Sequence, residues 1–164
     1  MSIPNVLSIA GSDPSGGAGI QADLKAFSAL ETYGMAAVVG LTAQNTRGVF
    51  AVEMPSSDFV AAQLHTIFDD IEVAAIKIGM LGTVEMIDTV ADVLTARYTG
   101  PIVLDPVMCA KSGDPLLNED AVDSMRRRML PLATVLTPNL PEADALTGGS
   151  TSSRTAMEQS VNAL

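Results

Sequence analysis

The chain has 164 residues, 48% of them hydrophobic and 17% charged, with nine Lys and Arg against 19 Asp and Glu, a formal charge of −10 at pH 7. This composition describes one globular domain and excludes disorder, a collagen repeat and a disulfide scaffold, the last because Cys109 is the only cysteine. The acidic surface repels phosphate backbones and anionic membranes, and neither a basic leader nor a run of 18 apolar residues occurs, so the reading is a cytoplasmic protein without nucleic-acid or membrane partners.

Val6 to Ala10 is a short apolar run that ends in a Gly/Ser/Pro cluster, and beyond it Ile20, Leu24, Phe27 and Leu30 recur at helical spacing. Strand, loop and helix therefore open the chain. Met35 to Thr42 is a second apolar run and Val49 to Met54 a further short strand. Ser57 and Asp58 offer an N-cap and an acidic first turn to a helix that carries Phe59, Leu64, Ile67 and Phe68 on one side and stops near Asp70. A strand over Ala74 to Ile78, a helix over Val84 to Ala96, a strand over Ile102 to Leu104 and a helix from Asn118 to Leu130, capped by Asn118, follow. Within that helix Glu119 and Asp120 at one end and Arg126, Arg127 and Arg128 at the other complement the macrodipole. Ala133 to Leu136 is the last strand, Pro141 to Leu146 a short helix, and Thr155 to Leu164 a helix cut off in mid-pattern after a loop at Gly148 to Ser153. Strands separated by helices specify an α/β fold: a mostly parallel sheet with helices on both faces, because parallel neighbours need crossover connections. With aromatics at 4% and no Trp, aliphatic residues and Met must fill its core.

Open sheets of this class bind ligands beyond the carboxyl ends of their strands. The polar residues that follow each apolar run are therefore the candidates. Gly11 to Gly19 forms a glycine-rich loop before a helix N-terminus, where a backbone without side chains could approach a ligand or simply turn. Gly17 to Ala22 formally fits a dinucleotide fingerprint, but it lies beyond the strand end and lacks the acidic partner; a P-loop is excluded because Lys25 lies well inside the helix. Asp105 adjoins a buried strand and needs a partner, a metal or a turn to compensate it. Asn139 and Glu142, three apart, could share a hydrated Mg²⁺ or cap a helix as Ncap and N3. Gln44 combines an acceptor with two donors, suited to the edge of an aminopyrimidine and equally to a loop backbone. Met80 and Val107 would wall such a pocket or pack in the core. Cys109 reads as a core residue, since His65, the only histidine, lies far off within a helix.

Taken together, Ile9 to Lys25 (Gly11-Ser12-Asp13-Pro14-Ser15-Gly16-Gly17-Ala18-Gly19 at its centre), Ala43 to Gly48, Lys77 to Leu81, Leu104 to Met108, Ala110 to Asp114 and Leu136 to Ala143 closely resemble, in order, the bacterial hydroxymethylpyrimidine/phosphomethylpyrimidine kinases of the ribokinase-like superfamily. The resemblance covers residues 4 to about 147. It implies phosphorylation of 4-amino-5-hydroxymethyl-2-methylpyrimidine and then its monophosphate in thiamine biosynthesis, with ATP and Mg²⁺, by a homodimer. Gln44 matches the residue that pairs with the aminopyrimidine, Gly11, Met80 and Val107 match the pocket lining, and Asp23 a polar neighbour. Asp105, Asn139 and Glu142 match the phosphate and metal side. The family's Lys-Gly-Gly strand and Gly-Thr-Gly-Cys anion hole with its base do not occur in these 164 residues. The expectation is thus the N-terminal portion, 1–164, of one kinase domain, its sheet incomplete at the C-terminus, with the pyrimidine pocket but little turnover and marginal stability. A pyrimidine-binding protein without catalysis and a pyridoxal kinase are the alternatives, with a dinucleotide-dependent dehydrogenase a remote third.

Overall fold

The computed structural model describes residues 3–108, 119–149, 151 and 153–163. Cys109, the Ala110 to Asp114 motif segment and the Asn118 cap lie outside the described residues. In chain order the elements are β1 (Asn5–Gly11), α1 (Gly19–Ala29), β2 (Tyr33–Asn45), β3 (Gly48–Glu53), α2 (Ser57–Asp70), β4 (Ala75–Ile78), α3 (Val84–Arg97), β5 (Ile102–Leu104), α4 (Glu119–Ser124), β6 (Val135–Leu136), α5 (Leu140–Thr147) and α6 (Arg154–Ala163). The six strands form one sheet in the order β3-β2-β1-β4-β5-β6, parallel throughout except for the β2–β3 hairpin. The α/β class read from the sequence is the one formed.

Register alternates two kinds of surface. Leu7 pairs with Met35 and Ile76, and Ile9 with Ala37 and Ile78, while Ile76 and Ile78 face Ile102 and Leu104. These side chains are buried with Val60 and Leu64 of α2 and Met86, Ile87, Val90 and Leu94 of α3 in one aliphatic cluster. Met125 and Met129 complete it, and no aromatic side chain belongs to its fully buried part. The intervening positions, Ser8 and Lys77, face the side on which α1 lies, where Ser8 reaches Asp23.

Several local expectations change in detail. The N-cap of α2 is Ser56, whose hydroxyl accepts from Phe59 N–H; Ser57 is already helical and donates instead to Glu85 on α3 at 2.5 Å. Phe59 is exposed and Val60 takes the buried position beside Leu64, because 3.6-residue periodicity from Leu64 selects 60 and not 59. The helix expected to reach Leu130 is α-helical only to Ser124, and a π turn over Met125–Met129 and a 3₁₀ turn over Leu130–Leu132 finish it. Met125 and Met129, four residues apart on one face of this turn, are both buried in the core. Its three arginines stand in the last turn, the placement the dipole favours, and two of them also bind neighbouring elements. Arg126 donates to the α5 carbonyls of Leu146, at 2.7 Å, and Ala145, and Arg128 pairs with Asp88 and Asp92 of α3. The α5 helix ends at Gly148 in the left-handed region, φ +67°.

Candidate functional site

The strand order places β1 at the centre of the sheet, flanked on one side by β2 and on the other by β4, which is where chain winding reverses. A cavity of about 320 Å³ opens beyond the carboxyl ends of these strands. The loop after β1, the β2–β3 hairpin, the segment after β4 and the segment after β5 line it. Gly11, Asp23, Gln44, Met80, Asp105 and Val107, six of the eight residues proposed from the sequence, lie in this one cavity. Its size suits a small heterocycle.

Each wall has a local cause. Ser12 fastens the end of β1 to β2: its N–H donates to Gly40 O at 2.8 Å, its hydroxyl accepts from Thr42 N–H at 3.0 Å, and Thr42 Oγ1 donates back to Ser12 O at 2.9 Å. Asp13 is nearly fully buried and organises the glycine loop, accepting from Ser15 N–H at 2.9 Å, Ser15 Oγ at 2.7 Å and Gly17 N–H at 3.1 Å. Burial pushes this carboxyl up, but the hydrogen bonds from Ser15 and from the Gly17 and Ala18 backbone outweigh it and hold it below the ordinary range. Lys25 closes the loop from α1 by donating to Gly16 O at 2.9 Å. Gly19 starts α1 with φ +56°, and a Cβ there would lie 2.4 Å from Gly11 O, so the loop can fold onto the strand end only with glycine at that position. A register shift between Ala43 and Gln44 marks a β-bulge in the hairpin beside Gln44. At Gly11 the absent side chain admits Met80, whose Cε would be 2.6 Å from a Cβ.

Charge converges on the cavity floor. Asp23 Oδ2 accepts from Ser8 Oγ at 2.6 Å and from Lys77 Nζ at 3.2 Å, and Lys77 Nζ lies 3.9 Å from Asp105 Oδ2. Burial pushes the Asp105 carboxyl above the ordinary range; Lys77 opposes the rise, and the Glu142 and Asp23 carboxylates add to it. Among the described residues no hydrogen bond reaches the Asp105 side chain, which leaves its oxygens available to a ligand or to a hydrated cation.

Asn139 and Glu142 are not in the cavity lining. They form a complete capping box: Asn139 Oδ1 accepts from Glu142 N–H at 2.9 Å and Glu142 Oε2 from Asn139 N–H at 2.8 Å. Glu142 Oε1 takes Met108 N–H at 3.4 Å, which ties the segment after β5 to the start of α5. Among the described residues no group of three or more His, Cys, Asp or Glu side chains is placed to hold a metal ion. A hydrated Mg²⁺ needs fewer, because it keeps several waters and takes one or two carboxylates plus phosphate oxygens. Asp105 fits that requirement.

Lys77, Ser8 and Asp13 are the site residues that sequence reasoning did not single out. A signal existed for Lys77 and Ser8: each interrupts an otherwise apolar parallel strand, and a polar group there needs a partner. No comparable signal separated Asp13 from the other polar residues of its loop.

Comparison with known proteins places this arrangement. The sequence profile described as Phosphomethylpyrimidine kinase matches residues 13–164. The hydroxymethylpyrimidine/phosphomethylpyrimidine kinase of Escherichia coli (strain K12) is 55% identical over 142 residues, 87% of this chain and 53% of that protein. The crystal structure of phosphomethylpyrimidine kinase from Clostridium difficile 630 superposes with a TM-score of 0.89 at 43% identity, covering 98% of this chain and 71% of the other. Pyridoxal kinase from Staphylococcus aureus, in complex with AMP-PCP and pyridoxal, superposes with a TM-score of 0.87 at 39% identity, covering 99% and 58%. The chain spans about half the length of the curated relatives it matches. By profile, sequence identity and fold together, it belongs to the phosphomethylpyrimidine kinase family.

Proposed function

We propose that the protein phosphorylates 4-amino-5-hydroxymethyl-2-methylpyrimidine and its monophosphate with ATP and Mg²⁺, and that this chain supplies the pyrimidine pocket. The observation that carries the reading is the convergence of Gly11, Gln44, Met80, Val107, Asp23 and Asp105 on one cavity at the strand ends. Gly11, by admitting Met80, would let it close on the ring opposite Val107, and Gln44 would pair with the aminopyrimidine edge through its amide. Asp105 would hold hydrated Mg²⁺, which neutralises charge on the phosphates during transfer. Asn139 and Glu142 would serve the phosphate side by fixing the turn against Met108, through the capping box and the Met108 N–H bond. The same exposed β2–β3 hairpin that carries Gln44 also presents Phe50, which is 70% exposed, and this supports a homodimer, to be read by sedimentation equilibrium.

Calorimetric titration of the 164-residue chain with the hydroxymethylpyrimidine, beside Gln44→Ala, tests the pocket. Gln44→Ala is expected to weaken binding by about tenfold or more, since it removes the paired hydrogen bonds of a desolvated edge. Equal affinity of both chains would overturn the assignment of Gln44. The second reading, pyridoxal as ligand, is favoured by the Staphylococcus aureus neighbour, whose described complex contains pyridoxal. Tighter binding of pyridoxal than of the pyrimidine would exchange the two.

A further inference from the structure

Among the described residues that line the cavity, Lys77 is the one cation. It stands on β4 directly beside Ser8 of β1 in the parallel register, and both donate to the same oxygen of Asp23, at 3.2 Å and 2.6 Å. Two residues on, just past the end of β4, is Gly79, where a Cβ would lie 3.0 Å from Lys77 Nζ. The ammonium therefore occupies a space that a side chain at Gly79 would narrow. Side-chain exposures of 23% for Lys77 and 16% for Asp23 make this a partly desolvated ion pair, whose attraction largely offsets the cost of removing both charges from water. Apolar residues would have closed the same face at no such cost.

The second carboxylate gives the network its meaning. Asp105 Oδ2 is 3.9 Å from the ammonium, a charge contact longer than a hydrogen bond, and among the described residues Asp105 has no hydrogen-bond donor and Lys77 is the one cation beside it. Without that cation Asp23 and Asp105 would be two like charges facing each other across the cavity floor. We propose that Lys77 is a positioning residue of the pyrimidine site, anchored by Asp23 and Ser8, whose ammonium holds the Asp105 carboxylate where, before Mg²⁺ and nucleotide bind, it accepts a hydrogen bond from the bound ligand. This rests on the pyrimidine reading above and deepens it.

The test is a double-mutant cycle on the 164-residue chain, with Lys77→Met, Asp105→Asn and the double variant titrated with the hydroxymethylpyrimidine after circular dichroism establishes that each is folded. Each single change is expected to weaken binding about tenfold, and the double variant to bind no more weakly than either, because Lys77 acts through Asp105. Losses that multiply to about a hundredfold would overturn the proposal, as would Lys77→Met binding like the unaltered chain. If Lys77→Met does not fold, Lys77→Gln, of similar length and polar, takes its place in the cycle. Amine footprinting of the ligand-free chain reads the anchor separately: Lys77 should be modified about tenfold more slowly than in Asp23→Asn. Equal rates would remove the ion pair. A folded, unaltered chain that protects Lys77 yet binds no pyrimidine would overturn the pyrimidine reading and the role drawn from it, and would leave the ion pair standing.

Discussion

The two faces of the central strands differ as sharply as two proteins. On one, Leu7, Ile9, Ile76, Ile78 and Leu104 are buried under α2 and α3 without a polar side-chain atom among them. On the other, one residue along, Ser8 and Lys77 build a hydrogen-bonded ionic network with Asp23 of α1 that opens into the cavity. Period-two alternation lets the same strands do both, because neighbouring side chains on a strand never share a face. The dry face supplies the stability that permits the wet face to hold charges that contribute little of it.

The strongest way to break this contrast is Leu64→Ala, which opens a cavity where α2 meets the dry face. Leu64 is fully buried, and the expected loss is about 3 kcal/mol in chemical denaturation, with the cavity-lining residues of the wet face untouched. A loss below about 1 kcal/mol would mean that the aliphatic cluster does not carry the fold.

Next comes Asp13→Asn on the wet side. An amide keeps an acceptor but cannot accept the donors of Ser15 and Gly17 as a charge does, so roughly 2 kcal/mol should be lost at neutral pH. The pH dependence follows from the lowered pKa in the fold. Because the folded value lies below the unfolded one, of about 3.9, the stabilisation is complete above that value and disappears as pH falls through the folded value. The stability gap between the unaltered chain and the Asp13→Asn variant should therefore narrow only in acid, and a gap independent of pH would show that the charge is not what organises the loop.

The smallest effect sharpens the boundary between the faces. Beyond the end of β3, the edge of β2 is covered at Val38 by Gln63 of α2, whose amide accepts from Val38 N–H at 2.9 Å and donates to Val38 O at 3.1 Å. The side chain replaces a missing strand at this point. Gln63→Ala should cost about 1 kcal/mol and speed amide exchange at Val38 selectively. Unchanged exchange would show that the edge is closed by something else.

Much of this was legible in order. The apolar runs at Val6, Met35, Ile76 and Ile102 and the periodic segments between them carry the α/β alternation, since period and length separate strand from helix at those places. Six of the eight proposed site residues meet in the cavity, most of them because they follow an apolar strand, and strand ends in such a sheet share one edge. Less legible were the ends of helices. Ser56 and Ser57 are both competent caps, and which one caps depends on where the chain enters α2 from β3. The π turn at Met125 to Met129 has no local signature, because an α-helix would place the same two methionines, four apart, on one buried face.

The glycine loop and the Asn139 and Glu142 pair show where the division lies. Sequence alone determined that Gly11 to Gly19 turns between strand and helix, and that Asn139 and Glu142 stand three apart, because both are statements about neighbours along the chain. Tertiary structure decided that Asp13 is the buried centre of that loop, that Glu142 lies buried with its oxygens on backbone donors, and that Lys77 bridges Asp23 and Asp105. Those two carboxylates are 54 and 28 residues from Lys77 in the chain. Coulomb attraction and desolvation act through space, so only the fold, by bringing β4, α1 and β5 to one floor, could give the lysine its partners.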